Sequence, residues 1–114
     1  MSVYSLKVIK GPDSGAVLTI SEPKIYLIGR TRQADFQLST ADPFISRRHF
    51  LVEFTGRECI CKNLSLKNPI QINGIVRSKI ALKDGDIIEV GYTHIRFHKD
   101  TSNDISEIRL RNCK

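Results

Sequence analysis

The 114 residues include no tryptophan and only three cysteines, none of them in a C-x-x-C spacing. Without tryptophan, the apolar core has to consist mainly of Ile, Leu, Val and Phe. An odd number of cysteines without metal-ligand spacing favours free thiols in a reducing compartment, so we expect an intracellular protein, cytoplasmic or nuclear, without a metal site. Cys59 and Cys61 are two residues apart on a predicted strand, which places both thiols on one side of it, in or near the core.

Long apolar runs are also missing. No segment approaches the length of a membrane span, and residues 1–11 lack the continuous apolar stretch of a signal peptide. A membrane is therefore not an expected partner. The hydrophobic share of 40% and the charged share of 26% are typical of a globular domain, and 114 residues suffice for one.

Acidic side chains are fewer than basic ones, 12 against 18, which leaves a net charge of +6. This balance favours acidic partners such as phosphopeptides, nucleic acid or an anionic surface. The basic residues are not interleaved with the aromatic side chains that stack on bases, so a nucleic-acid-binding module is the less favoured alternative.

Short apolar segments separated by turn signals every eight to twelve residues predict an all-β sandwich or barrel. Tyr4, Leu6 and Val8 alternate with polar neighbours and predict the first strand. Asn73-Gly74 is the strongest hairpin signal. Further strands are predicted over 16–20, 24–28, 36–38, 49–54, 58–62, 70–72, 75–76, 87–90 and 93–98.

Two short stretches carry the functional signal. Gly29-Arg30 follows a predicted strand, and Ser46 follows sixteen residues after Arg30, in a loop. A guanidinium offers a rigid fork of N–H donors that fits two phosphate oxygens, and a serine hydroxyl can donate to a third. The pattern predicts a pocket for one phosphate group, presented by loops on a β scaffold.

The order and spacing of four motifs over residues 4–98 resemble the forkhead-associated (FHA) domain family. The motifs are Gly29-Arg30, Ser46-Arg47-Arg48-His49, Asn73-Gly74 and Asp84-Gly85-Asp86. The resemblance implies a β-sandwich of two antiparallel or mixed sheets whose loops, at one end, bind phosphothreonine peptides. It implies phosphothreonine-containing proteins as partners and no cofactor.

The resemblance also implies roles for single residues. Arg30 and Ser46 match the family's phosphate-binding pair, and Arg47 occupies a place that often touches the peptide backbone or the phosphate. His49 is implied to be architectural, with its ring holding the Ser46 loop in shape. A nucleophile-and-base interpretation of Ser46 and His49 is disfavoured, because no acidic residue stands at a matching position to orient the imidazole. We therefore do not expect an enzyme.

The second binding loop, around Asn68, departs from the FHA family pattern. Asn68 matches the asparagine that holds the ligand's backbone, but Lys67 replaces a hydroxyl residue and Pro69 replaces a glycine. Lys67, as a cation, still has the charge to contact a phosphate. We expect Asn73 and Gly74, like Gly29 and His49, to support the site structurally. These departures sustain the second alternative, a phosphate-independent interaction or assembly domain on the same fold.

The predicted domain covers residues 1–99. Residues 100–114 change character and are interpreted as a tail, either unpacked or forming a short helix capped by Asp104. Phe44 precedes Ser46 in an otherwise polar loop. The resemblance implies that this loop helps to select the ligand residue three positions after the phosphothreonine, where an exposed Phe44 would favour an apolar residue over an acidic one. The sequence leaves the oligomeric state open.

Overall fold

The computed structural model describes residues 3–100 and contains eleven β-strands and no helix within that range. The predicted C-terminal tail lies outside the described residues, apart from Asp100, with which the last strand ends. The strands are β1 (Val3–Lys10), β2 (Val17–Ile20), β3 (Lys24–Gly29), β4 (Phe36–Gln37), β5 (Phe50–Phe54), β6 (Cys59–Asn63), β7 (Gln71–Ile72), β8 (Ile75–Val76), β9 (Lys79–Ala81), β10 (Ile87–Val90) and β11 (Thr93–Asp100).

The strands form two sheets. The six-stranded sheet has the order β2-β1-β11-β10-β7-β8, and the five-stranded sheet has the order β4-β3-β5-β6-β9. All pairings are antiparallel except that of β3 with β4, which is parallel. The predicted sandwich of antiparallel or mixed sheets is confirmed.

The core lies between the sheets and follows the period of two that strands impose. Leu6 and Val8 on β1 are fully buried, and so are Ile95 on β11 and Val52 on β5. Phe50 and Phe97 are the largest fully buried side chains. Without tryptophan, the core is aliphatic and phenylalanine-rich, as predicted.

Both cysteines of β6 point into this core, which confirms that they share one side of the strand. Burial raises the pKa of the Cys59 and Cys61 thiols to about 12, so both stay protonated near neutral pH. Neither forms a disulfide. Within residues 3–100, no group of His, Cys, Asp and Glu side chains is arranged to hold a metal ion.

Strand β9 is absent from the sequence prediction. Its three residues, Lys79–Ala81, carry too short an apolar alternation to be recognised, and β9 exists because it pairs with β6 in the register Cys61↔Ile80. Such a pairing depends on tertiary context rather than on local propensity. In the described part of the chain, no helix is long and apolar enough to cross a membrane.

Candidate functional site

The first binding loop, residues 38–49 between β4 and β5, lies against the end of β3. The backbone N–H of His49 donates to the carbonyl of Ile28 at 3.0 Å, and the N–H of Arg30 donates to the carbonyl of Ser46 at 3.2 Å. These main-chain bonds extend the sheet pattern beyond the strand ends. They bring Arg30 and Ser46, sixteen residues apart in sequence, side by side.

Gly29 is required where these two segments meet. A Cβ atom at this position would overlap the carbonyl oxygen of Arg47 and lie 3.0 Å from the backbone nitrogen of His49. The N–H of Thr31 donates to the same Arg47 carbonyl at 3.1 Å. The close approach that requires a glycine here is to the protein's own first binding loop.

The Arg30 side chain is anchored. Its Nε donates to the carbonyl of Ile45 at 2.9 Å, and its own carbonyl accepts a bond from the Gln37 side chain at 3.2 Å. The guanidinium is thereby held at its Nε, and Arg30 lines an open cleft. A guanidinium oriented in advance loses less side-chain entropy when it binds an anion.

Ser46 has a hydroxyl neighbour from the second binding loop, residues 64–70 between β6 and β7. The Oγ atoms of Ser46 and Ser65 are 2.8 Å apart, and Ser65 is only 3% exposed. Ser65 Oγ also accepts the backbone N–H of Asn68 at 3.1 Å. The sequence reasoning missed Ser65 and sought the loop's hydroxyl at position 67. A serine three residues before an asparagine in a turn is the local signal that points to it.

His49 joins the two binding loops and is fully buried. Its Nδ1 accepts the backbone N–H of Ser46 at 3.0 Å, so the ring proton resides on Nε2, which donates to the carbonyl of Asn68 at 2.7 Å. Its backbone carbonyl accepts the N–H groups of Leu64 and Ser65 at 2.9 and 3.0 Å. Burial lowers the pKa of His49 and keeps the ring neutral.

These contacts do not form a catalytic dyad. The imidazole of His49 bonds the backbone nitrogen of Ser46, whereas the Ser46 hydroxyl faces Ser65. A general base would have to contact the hydroxyl that it activates. The ring therefore acts on the shape of the loop.

Asn68 links the loops from the other side. Its side-chain Nδ2 donates to the carbonyl of Phe44 at 3.1 Å, across the cleft. Within residues 3–100, its Oδ1 accepts no hydrogen bond, so this oxygen stays available to a ligand. Although Pro69 replaces the family's glycine after it, Asn68 has a side chain of fixed orientation and an Oδ1 that can accept a bond from a ligand.

A second buried group, Asp42, was not singled out from the sequence. Its carboxylate is fully buried and accepts bonds from the N–H of Phe44 at 3.1 Å, the N–H of Tyr92 at 2.8 Å and the hydroxyl of Thr93 at 2.9 Å. A Cβ at Gly91 would lie 2.6 Å from this carboxylate. Asp42 therefore ties the first binding loop to the β10–β11 turn.

Between the two binding loops lies an open cleft of about 670 Å³. Among the described residues, four cations and no carboxylate line it. Arg32, two residues after Arg30, is exposed but outside the lining. The lining residues are Arg30, Thr31, Gln33, Pro43, Phe44, Ile45, Ser46, Arg47, Arg48, Leu64, Ser65, Leu66, Lys67 and Asn68.

Asn73 and Gly74 lie outside this lining. They form the β7–β8 turn with φ angles of 52° and 85°, the left-handed conformation that a two-residue hairpin needs. The side chain of Asn73 donates to the Asp86 carboxylate at 3.0 Å and accepts the N–H of Ile87 at 2.9 Å. Hydrogen bonds thus join the Asn73-Gly74 motif to the Asp84-Gly85-Asp86 motif, which is separate in sequence.

The fold and the cleft define a β-sandwich with a cationic binding site made by its loops. A family model for the FHA domain matches residues 26–91, more than half of the chain, and the chain belongs to that family. FHA domains are interaction modules.

Three comparisons illustrate the relationship. Proliferation marker protein Ki-67 of Mus musculus is 29% identical over 107 residues, 93% of this chain. An FHA domain whose phosphothreonine-dependent interactions have been analysed matches with a TM-score of 0.74 and 28% identity, covering 86% of this chain and 96% of that one. Mycobacterium tuberculosis EmbR, in complex with a low-affinity phosphopeptide, matches with a TM-score of 0.71 and 27% identity, covering 84% of this chain and 24% of that one. The chain spans 3% of the mouse Ki-67 sequence and 2% of its human counterpart.

Proposed function

We propose that this protein is a phosphothreonine-dependent interaction module that binds phosphorylated segments of partner proteins in the cleft between its two binding loops. The observation that carries the proposal is the anchored Arg30. Its guanidinium is held by the carbonyl of Ile45 at 2.9 Å and shares a carboxylate-free cleft with the Ser46–Ser65 hydroxyl pair. A phosphate matches this set of donors in both charge and geometry.

The comparisons support the same activity. One similar FHA domain is described by its phosphothreonine-dependent interactions, and EmbR is described in complex with a phosphopeptide. Each shares the sandwich with this chain at 27–28% identity. In our proposal, phosphothreonine-containing proteins are likewise the partners of this chain.

The proposed roles divide the site into contact and support. Arg30 and Ser46 bind the phosphate, with charge-assisted bonds worth about 1.5–3 kcal/mol each. Arg47 and Lys67 contribute positive charge at the rim, and Asn68 holds the peptide backbone through its free Oδ1. Supporting these groups without contacting the ligand are Gly29, His49, Asn73 and Gly74.

The proposed module makes and breaks no covalent bond and needs no cofactor, because recognition of a phosphate requires only positioned donors. It acts inside the cell, in the cytoplasm or the nucleus, where its buried thiols stay reduced. The module corresponds to residues 1–99, with β11 ending at Asp100.

A phosphate-independent interaction on the same face is the second candidate, and one observation favours it. Leu66 is 98% exposed and lines the cleft beside Lys67, at the position where the family pattern departs. An apolar side chain in full contact with water is typical of a protein-binding surface when it lies next to other exposed apolar groups. Leu64 and Phe44, 40% and 41% exposed, line the same cleft.

The deciding experiment is a titration with a degenerate phosphothreonine peptide library beside its unphosphorylated twin. We expect binding of the phosphorylated library alone. Equal binding of both libraries would favour the phosphate-independent candidate. Salt-sensitive binding of nucleic acid, without any preference for phosphopeptides, would instead support the nucleic-acid alternative.

A further inference from the structure

The cleft contains more positive charge than one phosphate group needs. Arg30, Arg47, Arg48 and Lys67 all line it, whereas a phosphothreonine carries a charge of about −1.5 to −2 near neutral pH. In the described part of the chain, the ion pairs involve other cations, namely Lys24, Lys62 and His98. The four cleft cations therefore have no carboxylate partner among residues 3–100.

Two of these cations belong to the first binding loop. Arg47 and Arg48 directly follow Ser46 in the chain, and all three line the cleft together with Arg30. Arg47 and Arg48 are both exposed. Among residues 3–100, neither guanidinium forms an ion pair, and it is the backbone of this segment that contacts β3.

A second depression, of about 280 Å³, shares Phe44, Lys67 and Asn68 with the lining of the cleft and also includes Pro69, Val76 and Glu89. Val76 is 60% exposed. Among residues 3–100, the only cation lining this depression is Lys67, and Glu89 offsets its charge. An acidic ligand group would gain little there.

We propose that the preferred ligand is a segment with two anionic side chains, in which Arg30 and Ser46 bind the phosphothreonine while Arg47 and Arg48 bind a second anion. The second anion is a phosphate or a carboxylate, which share the oxygen geometry that a guanidinium recognises. The inference rests on the proposed function, because it takes the central phosphate as given. It narrows the ligand class from any phosphothreonine segment to acidic or doubly phosphorylated ones.

The test compares peptides that differ only in the second anion. The first has one phosphothreonine and neutral flanks; a second series adds a phosphoserine at each position from four before to four after it; a third adds glutamate at the same positions. Dissociation constants are measured by isothermal titration calorimetry at two salt concentrations. We expect at least one position to bind about tenfold more tightly than the neutral peptide, with the gain shrinking at high salt.

Two double variants locate the effect. In Arg47→Gln/Arg48→Gln, the affinity ratio between the doubly charged and singly charged peptides should fall close to one. The matched control is Lys7→Gln/Arg96→Gln, which removes two charges that face each other on β1 and β11, outside the cleft lining. This control should retain the wild-type ratio.

The outcomes are distinct. A gain from phosphoserine and glutamate alike identifies a general acidic preference, and a gain from phosphoserine alone identifies a doubly phosphorylated ligand; both support the proposal. A ratio near one in the wild type, with good binding of the neutral-flanked peptide, overturns the proposal and leaves the proposed function intact. A ratio that survives in Arg47→Gln/Arg48→Gln also overturns it. Failure of every phosphopeptide to bind would contradict the proposed function itself.

Discussion

The first binding loop, residues 38–49, lies against β3 through main-chain hydrogen bonds, whereas the second, residues 64–70, is held mainly by side chains. His49 N–H to Ile28 and Arg30 N–H to Ser46 continue a strand-like pattern. In the second loop, Ser65 Oγ and the His49 ring bind the backbone of Asn68 at 3.1 and 2.7 Å. The first loop is therefore packed backbone to backbone against β3, with additional bonds from the Asp42 and His49 side chains, and the second loop depends mainly on polar side chains.

This difference explains how a departure from the family pattern can be tolerated. A side chain at Gly29, the last residue of β3, would place atoms where the first loop already passes. The exposed side chains of Leu66 and Lys67 do not hold the second loop. Its anchoring bonds come from His49, Asn63, Ser65 and the backbone of Asn68. Ligand chemistry can change in this loop without a change of fold.

The largest effect is expected at Gly29. In Gly29→Ala, the added methyl group would overlap the Arg47 carbonyl, and the two segments would have to separate. We expect a loss of about 3 kcal/mol in the free energy of unfolding, the upper range for overpacking. Urea denaturation followed by circular dichroism measures it.

Gly74→Ala is the comparison for this variant. No atom lies within 4 Å of a Cβ at Gly74, but its φ of +85° disfavours a side chain. The cost should be about 1–2 kcal/mol, from backbone conformation alone. Equal losses in the two variants would show that the close contact at Gly29 relaxes easily.

The next largest effect concerns binding. Arg30→Ala should weaken phosphopeptide binding by about 1.5–3 kcal/mol, roughly tenfold to a hundredfold, because a charge-assisted bond to phosphate is lost. Arg30→Lys should restore only part of the affinity, since an ammonium group cannot form the bidentate fork. Calorimetry with one phosphothreonine peptide compares the three proteins. Unchanged phosphopeptide affinity in Arg30→Ala would show that Arg30 does not bind the phosphate.

A third prediction separates the structural role of His49 from the binding role of Ser46. His49→Ala should lower both stability and binding, because it removes bonds to Ser46 and Asn68 and leaves buried groups unsatisfied; we expect a loss of about 2 kcal/mol in unfolding free energy. Ser46→Ala should weaken binding while thermal stability stays close to wild type. Thermal melts and peptide titrations of both variants decide between these roles. The reverse pattern, with stability lost only in Ser46→Ala, would mean that the roles are exchanged.

A smaller effect is expected from pH. Since burial lowers the pKa of His49 in the folded state, the unfolded chain takes up a proton at a higher pH than the folded one. The stability that depends on this ring is complete above pH ~6.5 and decreases as the pH falls toward the lowered pKa, by at most about 1.4 kcal/mol per pH unit. Urea midpoints between pH 7.5 and 5 measure it.

The matched variants for this titration are His49→Gln and His98→Gln. His49→Gln should flatten the acid loss of stability, whereas His98, which is exposed and pairs with Asp84, contributes no such buried neutral ring. His98→Gln should therefore retain the loss. An unchanged pH dependence in His49→Gln would show that other groups cause it.

Much of the fold was predictable because its signals are local. The alternation of Tyr4, Leu6 and Val8 reports which face of β1 is buried, and Asn73-Gly74 reports a hairpin from conformational preference alone. Strand β9 was not predictable, since its pairing with β6 depends on tertiary context. The predicted and observed strand ends differ by a residue or so, as at Gln71 and Cys59.

The candidate site likewise has residues that were predictable from the sequence and residues that were not. Arg30 and Ser46 could be singled out from the sequence because each belongs to a motif whose order and spacing resemble the FHA pattern. Ser65 and Asp42 were missed because their roles arise from contacts across the fold, Ser65 with Ser46 and Asp42 with Thr93, 51 residues away. A short polar side chain becomes informative only when the groups around it are known.

The smallest expected effect tests the second binding loop most directly. The resemblance to the FHA family implies a small apolar gap beside the phosphate pocket for the extra methyl group of phosphothreonine, and burying one such group is worth about 0.8 kcal/mol. Leu64 and Leu66 line the cleft from the second loop, so this wall is apolar despite Lys67. We expect a phosphothreonine peptide to bind about fourfold more tightly than its phosphoserine twin in parallel calorimetric titrations, and free sulfate to compete weakly. Equal affinities would indicate a general anion site, in which the second loop shapes no gap for the methyl group.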